Sequence, residues 1–337
     1  MGCAEAEIPV RKVNLHLTQF QKKLCNVLQD GLPLCRRPFA DIAEFLHSGE
    51  AKVLADAGEL QSQGVIRRIS ALINHRALGR VSTLVTAHVP EEELGPVAEA
   101  INTMPGVSHN YQRKHFYNLW FTLQGRSDGE LELEIRNLTA RFGFEFHNLP
   151  AERFFKLDVR FDAESNGRKL LPDINLQDED KHFEPDRNQK VILQKLQNGL
   201  EITSQPFEIL CNENMDEISV FRAIEALLNN GVIRRIAAVV NHRKLGFTAN
   251  VMFCCRVEPE RITTAGEKLA GLPVVSHCYE RRTFQGWPYN LFAMMHAGSM
   301  GQIQRTIEKF IKDCQVTDYE LLPTEIEFKK EPVKYDF

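Results

Sequence analysis

Two segments of sixteen residues place arginine and histidine at matching positions in the chain. They read GVIRRISALINHRALG over 64–79 and GVIRRIAAVVNHRKLG over 231–246, are identical at twelve positions, and lie 167 residues apart. A guanidinium group donates two parallel hydrogen bonds to a carboxylate, so these segments are suited to a carboxylate-bearing ligand. The predicted substrate-binding residues are Arg67, Arg68, His75 and Arg76 in the first segment and Arg234, Arg235, His242 and Arg243 in the second.

Histidine and tyrosine recur in a second pair of segments, VSHNYQR over 107–113 and VSHCYER over 275–281. The ordinary pKa of histidine lies near neutrality, so a histidine beside arginine and tyrosine is suited to donate a proton. It is equally suited to be an axial ligand to a metal that a macrocycle already holds. The predicted catalytic residues are His109, His277, Tyr111 and Tyr279, and the predicted substrate-binding residues near them are Arg113, Lys114, His115, Arg281 and Arg282.

The adjacent arginines of each sixteen-residue segment cannot both reach one pocket from a regular strand, because neighbouring side chains point to opposite faces. We therefore expect one arginine of each pair to face the ligand and the other to bind a carboxylate elsewhere. Surface ion pairs on a solvated strand are the alternative. Recurrence of the same arginines in both segments favours the ligand, since solvated positions usually diverge after a duplication.

The repeated segments show that the chain is a tandem duplication, and a further match of YNLW over 117–120 with YNLF over 289–292 follows in the same order. Between the copies, the polar and turn-rich residues 164–186 are typical of a linker. We predict winged helix-turn-helix domains over 15–80 and 187–247, ferredoxin-like domains over 81–163 and 248–330, and a linker over 164–186.

Each copy is predicted to begin with three short helices. The first spans 18–29 or 188–197, the second starts near Pro38 or Pro206, and the third covers 50–63 or 216–230 and ends at a glycine. A strand pair around 67–74 completes a winged helix-turn-helix. The rest of each copy has the order βαββαβ, so the predicted class is α+β, as a tandem repeat of a winged helix-turn-helix and a ferredoxin-like domain.

Charge argues against nucleic acid as a partner. The chain has 41 basic and 45 acidic residues, a net charge of −4, and the predicted third helix of each copy is net acidic. This domain order resembles the leucine-responsive/asparagine regulators, whose third helix enters the major groove, but a phosphate backbone repels an acidic helix. No stretch approaches the roughly 18 apolar residues of a membrane span, and the eight cysteines never form CxxC, so we predict a cytoplasmic protein.

Together the motifs resemble the siroheme decarboxylases, an enzymatic branch of that regulator family. The resemblance rests on GVIRRISALINHRALG with GVSHNYQRKHFYNLWFT in the first half, and on GVIRRIAAVVNHRKLG with VSHCYERRTFQGWPYNLFAMMH in the second. In that family two related subunits usually come from separate genes and pair as a heterodimer. The chain therefore resembles a natural fusion of the two subunit types, with its halves pairing as a pseudo-heterodimer, and the question of a further homodimer stays open.

The resemblance implies a carbon–carbon lyase (a carboxy-lyase) that removes the C12 and C18 acetate carboxylates of siroheme without an oxidant. The product would be 12,18-didecarboxysiroheme, for the synthesis of haem b or haem d1. The implied partner is a tetrapyrrole substrate, with no membrane and no nucleic acid. No added cofactor is required, since siroheme iron enters with the substrate, and no metal is bound by the protein alone.

Two questions stay open within this resemblance. The second half has Cys278 where the first has Asn110, and Thr283 where the first has His115, so the sequence leaves undecided whether one or both of two expected pockets are catalytic. His109 or His277 is either a proton donor or an axial ligand to the tetrapyrrole iron. A haem- or tetrapyrrole-responsive transcriptional regulator is the alternative function.

Overall fold

The computed structural model describes residues 16–157, 160–164 and 182–337. Most of the predicted linker, 165–181, lies outside these described residues. The first copy opens with three helices and a strand, which are α1 (Gln19–Asp30), α2 (Pro38–Phe45), α3 (Glu50–Ser62) and β1 (Ile66–Ile73). Thr18 caps α1 in a reciprocal capping box with Gln21. Gly64, with φ at +68°, takes a left-handed conformation that other residues rarely adopt and turns the chain from α3 towards β1.

A ferredoxin-like domain follows with the predicted order βαββαβ. Its elements are β2 (Val81–Ala87), α4 (Glu91–Asn102), β3 (Val107–Arg113), β4 (Leu119–Gly125), α5 (Asp128–Phe142) and β5 (Phe146–Leu157). Three glutamates in the first turn of α4 are at the end of the helix where its dipole favours negative charge. Ser127 caps α5, and Gly143 ends it.

The second copy repeats this order with one difference. Its elements are α6 (Arg187–Asn198), α7 (Glu217–Asn229), β6 (Ile233–Val240), β7 (Ala249–Cys255), α8 (Ile262–Ala270), β8 (Val275–Arg281), β9 (Leu291–Ala297), α9 (Met300–Cys314) and β10 (Tyr319–Lys330). The second helix, expected near Pro206, is a single 3-10 turn at Glu208–Leu210. It cannot continue because Asn212 and Met215 exchange two backbone hydrogen bonds, each 3.1 Å, and so turn the chain.

The strand pair expected within each helix-turn-helix domain forms instead between the two copies. β1 pairs antiparallel with β6, with Ile69 opposite Ala238. After β1 the chain goes directly into turns, so the first copy has no second strand for a hairpin of its own. The backbone groups of a lone strand need a partner, and the equivalent strand of the other copy provides it. The predicted fold class is confirmed, and this two-stranded sheet joins the two helical domains.

The two ferredoxin-like sheets also join, and they form one closed barrel. Its strand order is β10-β3-β4-β2-β5-β8-β9-β7, and β7 pairs with β10. The last strand of each copy makes the connection, because β5 pairs antiparallel with β8 of the second copy and β10 pairs with β3 of the first. Closure leaves neither sheet with an exposed edge.

Side-chain alternation along the strands gives the barrel an outer face that the helices cover and an inner face. On β4, Leu119 and Phe121 belong to the outer core with residues of α4 and α5, whereas Trp120 packs inside. Trp287 and Phe292 of the second copy pack beside Trp120, with ring centroids 5.2 Å apart for the two tryptophans. These side chains fill part of the interior and leave a cavity in the rest.

In the described part of the chain, none of the helices combines the length and the apolar content that a membrane crossing requires. The seven cysteines of those residues are unpaired, and five of them are buried.

Strand pairing between the copies predicts that the halves stay together without a covalent link. We expect a protease site placed within 165–181 to be cleaved without separating the halves, since β1–β6, β3–β10 and β5–β8 pairing persists. Size-exclusion chromatography after cleavage should give one peak at the mass of the intact chain. Separation of the fragments without denaturant contradicts the closed barrel.

Candidate active site

Residues predicted on β3 and β8 line a single cavity inside the barrel, with a volume of about 220 Å³. Three come from each copy, and they are His109, Tyr111 and Arg113 together with His277, Tyr279 and Arg281. Every second residue of a strand points to the same face, so these positions share the interior. The structure therefore brings the two predicted sets into one site instead of two separate pockets.

A β-bulge at the start of each strand sets which residues face the cavity. The register shifts between Val107 and His109 in β3 and between Val275 and His277 in β8. Without the bulge, valine and histidine would point to the same side, whereas here each valine packs in the outer core and each histidine turns inward.

The alternation of side chains along β3 and β8 also places Asn110 and Cys278 outside the cavity. Both side chains point away from the cavity towards the covering helices. Asn110 Nδ2 donates to the carbonyl oxygen of Ala98 at 3.2 Å, and Cys278 Sγ donates to that of Gly266 at 3.7 Å. The substitution of one for the other between the copies therefore changes the outer packing and not the cavity lining.

Both histidine rings have the same hydrogen bond at Nδ1. Ser108 Oγ lies 2.9 Å from His109 Nδ1, and Ser276 Oγ lies 2.9 Å from His277 Nδ1. Desolvation, together with the positive charges of Lys330 and Arg67, lowers the pKa of His109 to about 4. His109 is therefore a neutral imidazole, held in orientation by the serine.

Two arginines contribute positive charge to the cavity. Arg113 Nη1 donates to the carbonyl oxygen of Leu322 and Arg281 Nη1 to that of Leu149, each at 2.7 Å. Burial lowers the pKa of each guanidinium to about 10. The Nε of each is enclosed without a hydrogen-bond partner, and no carboxylate of the described residues forms an ion pair with either. Such cations are costly to enclose unless an anion joins them.

Aromatic and aliphatic side chains form most of the remaining walls. The guanidinium carbon of Arg113 lies 5.3 Å from the Tyr111 ring centroid, and that of Arg281 lies 4.8 Å from the Tyr279 ring centroid. Burial raises the pKa of Tyr111, so its hydroxyl stays protonated. Together with Phe161, these rings offer an apolar surface with cations at its edge.

Three of the predicted residues in the sixteen-residue segments contact β10 at or near its last residue, Lys330, which lines the cavity. His242 Nδ1 lies 3.2 Å from Lys330 Nζ, and Arg67 Nη1 donates to the Lys330 carbonyl oxygen at 3.4 Å. Arg243 Nη2 lies 3.8 Å from Oε2 of Glu327, which is three residues before Lys330 on β10. These contacts lie on the His109 side, since Lys330 pairs with His109 in the sheet.

The other residues of those segments do not line the cavity. His75 Nε2 lies 3.0 Å from Ser82 Oγ, and Arg76 lies over the Phe154 ring at 4.1 Å. Arg234 Nη2 donates to Asn74 Oδ1 at 3.2 Å. Arg68 Nε donates to Ser70 Oγ, and Arg235 is opposite Leu72 in the β1–β6 pair. Arg67 is exposed and Arg68 partly buried, in keeping with opposite faces of the strand.

Three predicted substrate-binding residues lie beyond the ends of β3 and β8 and outside the cavity lining. Lys114 is exposed, and Arg282 Nε lies 3.5 Å from Glu152 Oε1 at the surface. The His115 ring packs edge-on against Trp287 with centroids 5.4 Å apart, and its Nδ1 accepts a hydrogen bond from the Tyr117 amide. Their roles in binding stay predictions that this geometry does not favour.

The cavity also contains residues that the sequence did not single out, among them Phe161, Asn250, Met294, His296 and Lys330. His296 ends the second-half motif FAMMH, so a histidine scan of that motif could have found it. Phe161 lies beside the predicted linker and Lys330 at the end of the last strand, and only the folded chain brings them here. No group of histidine, cysteine or carboxylate side chains in the described residues is arranged to hold a metal ion.

Comparison with known proteins fits this geometry. A model of the AsnC-like ligand binding domain matches residues 77–156 and 244–329, and a model of the siroheme decarboxylase NirDL-like HTH domain matches residues 21–67. A siroheme decarboxylase of Hydrogenobacter thermophilus is 34% identical over 317 residues, which are 93% of this chain and 94% of that protein. The chain belongs to the siroheme decarboxylase family.

Members of this family exist as separate subunits and as fused chains. The siroheme decarboxylase alpha subunit of Oleidesulfovibrio alaskensis is 40% identical over 145 residues, 43% of this chain and 88% of that protein. A crystal structure of the siroheme decarboxylase NirDL in co-complex with an iron-uroporphyrin III analogue matches with a TM-score of 0.70 at 31% identity, covering 94% of each chain. The predicted fusion of two subunit types is thereby confirmed.

Burial of His75, His109 and His242 predicts that the folded protein loses stability at acidic pH. Desolvation is the largest cause that lowers the pKa of His75 and His109 to about 4 and of His242 to about 3, from an ordinary 6.5. Below about pH 6.5 the unfolded chain binds more protons than the folded protein, so the free energy of unfolding falls as pH is lowered towards 4. Urea unfolding from about pH 7.5 to 5 should show this slope, and His109→Gln should reduce it. A slope that His109→Gln leaves unchanged contradicts the enclosed neutral ring.

Proposed function

We propose that this chain is a siroheme decarboxylase. The observation that carries the proposal is the pair of enclosed guanidinium groups, Arg113 and Arg281, which face an apolar cavity without a carboxylate partner among the described residues. A ligand with a flat apolar face would pack against the cavity walls, and carboxylates on that ligand would bind the two guanidinium groups. Siroheme is such a ligand, and the solved relative bound to an iron-uroporphyrin III analogue supports the choice.

The proposed reaction is a non-oxidative carboxy-lyase reaction at the C12 and C18 acetates of siroheme. At each site the bond between the methylene and the carboxylate carbon breaks, CO₂ leaves, and the electron pair passes to the conjugated ring. A proton then adds to the methylene carbon and gives a methyl group, so the product is 12,18-didecarboxysiroheme. No oxidant takes part, and we propose that no cofactor is needed, since the iron arrives within the substrate. The product would serve haem b or haem d1 synthesis.

The chain's own residues divide these tasks. Arg113 and Arg281 would bind carboxylates, and Tyr111 and Tyr279 would donate hydroxyl hydrogen bonds. His109 and His277 remain the candidates for proton donor or axial ligand. A neutral imidazole is the form that binds iron, so the low pKa of His109 favours the ligand role. The donor role requires the carboxylates of the substrate to raise that pKa by their negative charge.

We propose further that the protein works in the cytoplasm without nucleic acid. In α3 the carboxylates are engaged within the domain, since Glu50 binds Arg37, and Asp56 Oδ2 lies 2.6 Å from Lys52 Nζ. A tetrapyrrole-responsive regulator would need this acidic helix to approach phosphate groups, which repel it. One chain closes the barrel, so the cavity needs no second chain, and a homodimer of such chains stays a prediction.

The direct test is anaerobic incubation of the purified protein with siroheme, followed by mass spectrometry of the tetrapyrrole. We expect loss of two CO₂ per siroheme without any added oxidant or cofactor. Unchanged siroheme, together with tight and salt-sensitive binding to an operator DNA, would support the regulator and contradict the proposal.

Neighbouring arginines provide a matched pair of variants for the same assay. Arg281 faces the cavity and Arg282 faces solvent, so Arg281→Gln should raise KM for siroheme about tenfold or more, because a charge-assisted hydrogen bond is lost. Arg282→Gln should stay within about twofold of the unmodified protein, since its ion pair is exposed. Thermal unfolding of both variants checks that the fold persists. Equal effects of the two substitutions contradict the assigned geometry.

A further inference from the structure

The two halves of the cavity differ at the last strand of each copy. In the sheet, Lys330 of β10 pairs with His109, whereas Leu157 of β5 pairs with His277. Three residues earlier, Glu327 pairs with Tyr111, and Phe154 pairs with Tyr279. The sequence repeats that identified the duplication do not extend to these strands, so this difference becomes visible only in the pairing.

Lys330 contributes a partly enclosed cation to the cavity wall. Its side chain is 23% exposed, and its Nζ lies 3.2 Å from His242 Nδ1 and 4.0 Å from Glu327 Oε2. Desolvation lowers its pKa to about 8, against the attraction of Glu327. At neutral pH the ammonium group is therefore still mostly protonated.

Positive charge exceeds negative charge around this lysine. Arg67 contacts its carbonyl oxygen at 3.4 Å, and Arg243 shares Glu327 with it, at 3.8 Å from the same Oε2. Glu327 thus lies within 4.0 Å of two cations, Lys330 and Arg243, while Arg67 adds a third positive charge beside Lys330. Glu327 Oε2 is itself enclosed and makes no hydrogen bond, so its contacts with the cations are longer-range attractions.

The two strand residues at the equivalent positions in the other half are apolar. Leu157 and Phe154 replace the lysine and the glutamate, and the guanidinium of Arg76 lies over the Phe154 ring at 4.1 Å. An anionic group of a ligand would gain a lysine contact beside His109, whereas among the described residues of β5 Leu157 stands at the matching position beside His277. The barrel is therefore pseudo-symmetric in its backbone and asymmetric in its charge.

We propose that Lys330, supported by Arg67 and Arg243, forms an anion subsite that binds one carboxylate of the tetrapyrrole on the His109 side and so sets the orientation of the ring in the cavity. The proposal rests on the proposed function, since it takes a polycarboxylate tetrapyrrole as the ligand. Lys330 is a positioning residue here, because it would fix the substrate while other groups meet the reacting atoms. Its ammonium would replace the attraction to Glu327 with a direct bond to the substrate carboxylate.

Binding of iron-uroporphyrin III, followed by the absorbance of the tetrapyrrole, tests the subsite without any turnover. Lys330→Met keeps the length of the side chain and removes its charge, and it should weaken binding about ten- to a hundredfold. Lys330→Arg keeps the charge and should bind more tightly than Lys330→Met. The matched control is Lys329→Met, which removes a lysine from the same strand whose Nζ donates outside the cavity to the Asn102 carbonyl oxygen at 2.7 Å. It should stay within about twofold of the unmodified protein.

The outcomes distinguish failure of the Lys330 anion subsite from failure of the proposed decarboxylation. Equal affinity of Lys330→Met and the unmodified protein overturns the subsite, as does an equal loss in Lys329→Met. No rescue by Lys330→Arg, with the fold intact by thermal unfolding, also counts against a charge-based role. If the unmodified protein binds iron-uroporphyrin III and Lys330→Met does not, but siroheme is never decarboxylated, the subsite stands and the proposed reaction fails. Absence of binding by the unmodified protein overturns both.

Discussion

Antiparallel pairing of β5 with β8 and of β10 with β3 is the constraint on which the rest of the structure depends. Each pair joins the last strand of one copy to the second strand of the other ferredoxin-like sheet. Without these pairs, each four-stranded sheet would expose two edges and an apolar inner face. With them, the two sheets enclose one space, and β3 and β8 contribute to it from both copies. The duplication therefore produces one site per chain.

Closure also determines the electrostatics of that site. Arg113 and Arg281 donate to carbonyl oxygens of the last strand of each copy, at Leu322 of β10 and Leu149 of β5. The strands that close the barrel thus also hold the two cations in place. Their charge remains uncompensated by any carboxylate ion pair among the described residues, which makes a polyanionic ligand favourable. The His109 ring stays neutral for the same reason, since burial and nearby cations oppose its protonation.

Local signals in the sequence predicted much of the fold. A proline predicted the start of the second helix at Pro38, a glycine predicted the end of the third before Gly64, and the order of elements predicted the ferredoxin-like domains. The inward residues on β3 and β8 were found because their types recur. The halves were predicted to pair, but the strands that pair between the copies were not, since a strand such as β1 carries no local signal for which strand it meets. The same limit applies to Phe161 and Lys330, which reach the cavity only through the tertiary fold. The binding roles of Lys114 and His115 stay predictions, since the chain leaves the barrel before both residues.

Since both halves line one cavity, the central claim concerns how many tetrapyrroles one chain binds. The most direct measurement is an anaerobic titration of the intact chain with iron-uroporphyrin III, followed by absorbance and by native mass spectrometry. A single shared cavity predicts saturation at one tetrapyrrole per chain. Saturation at two per chain, with each half binding independently, would contradict it.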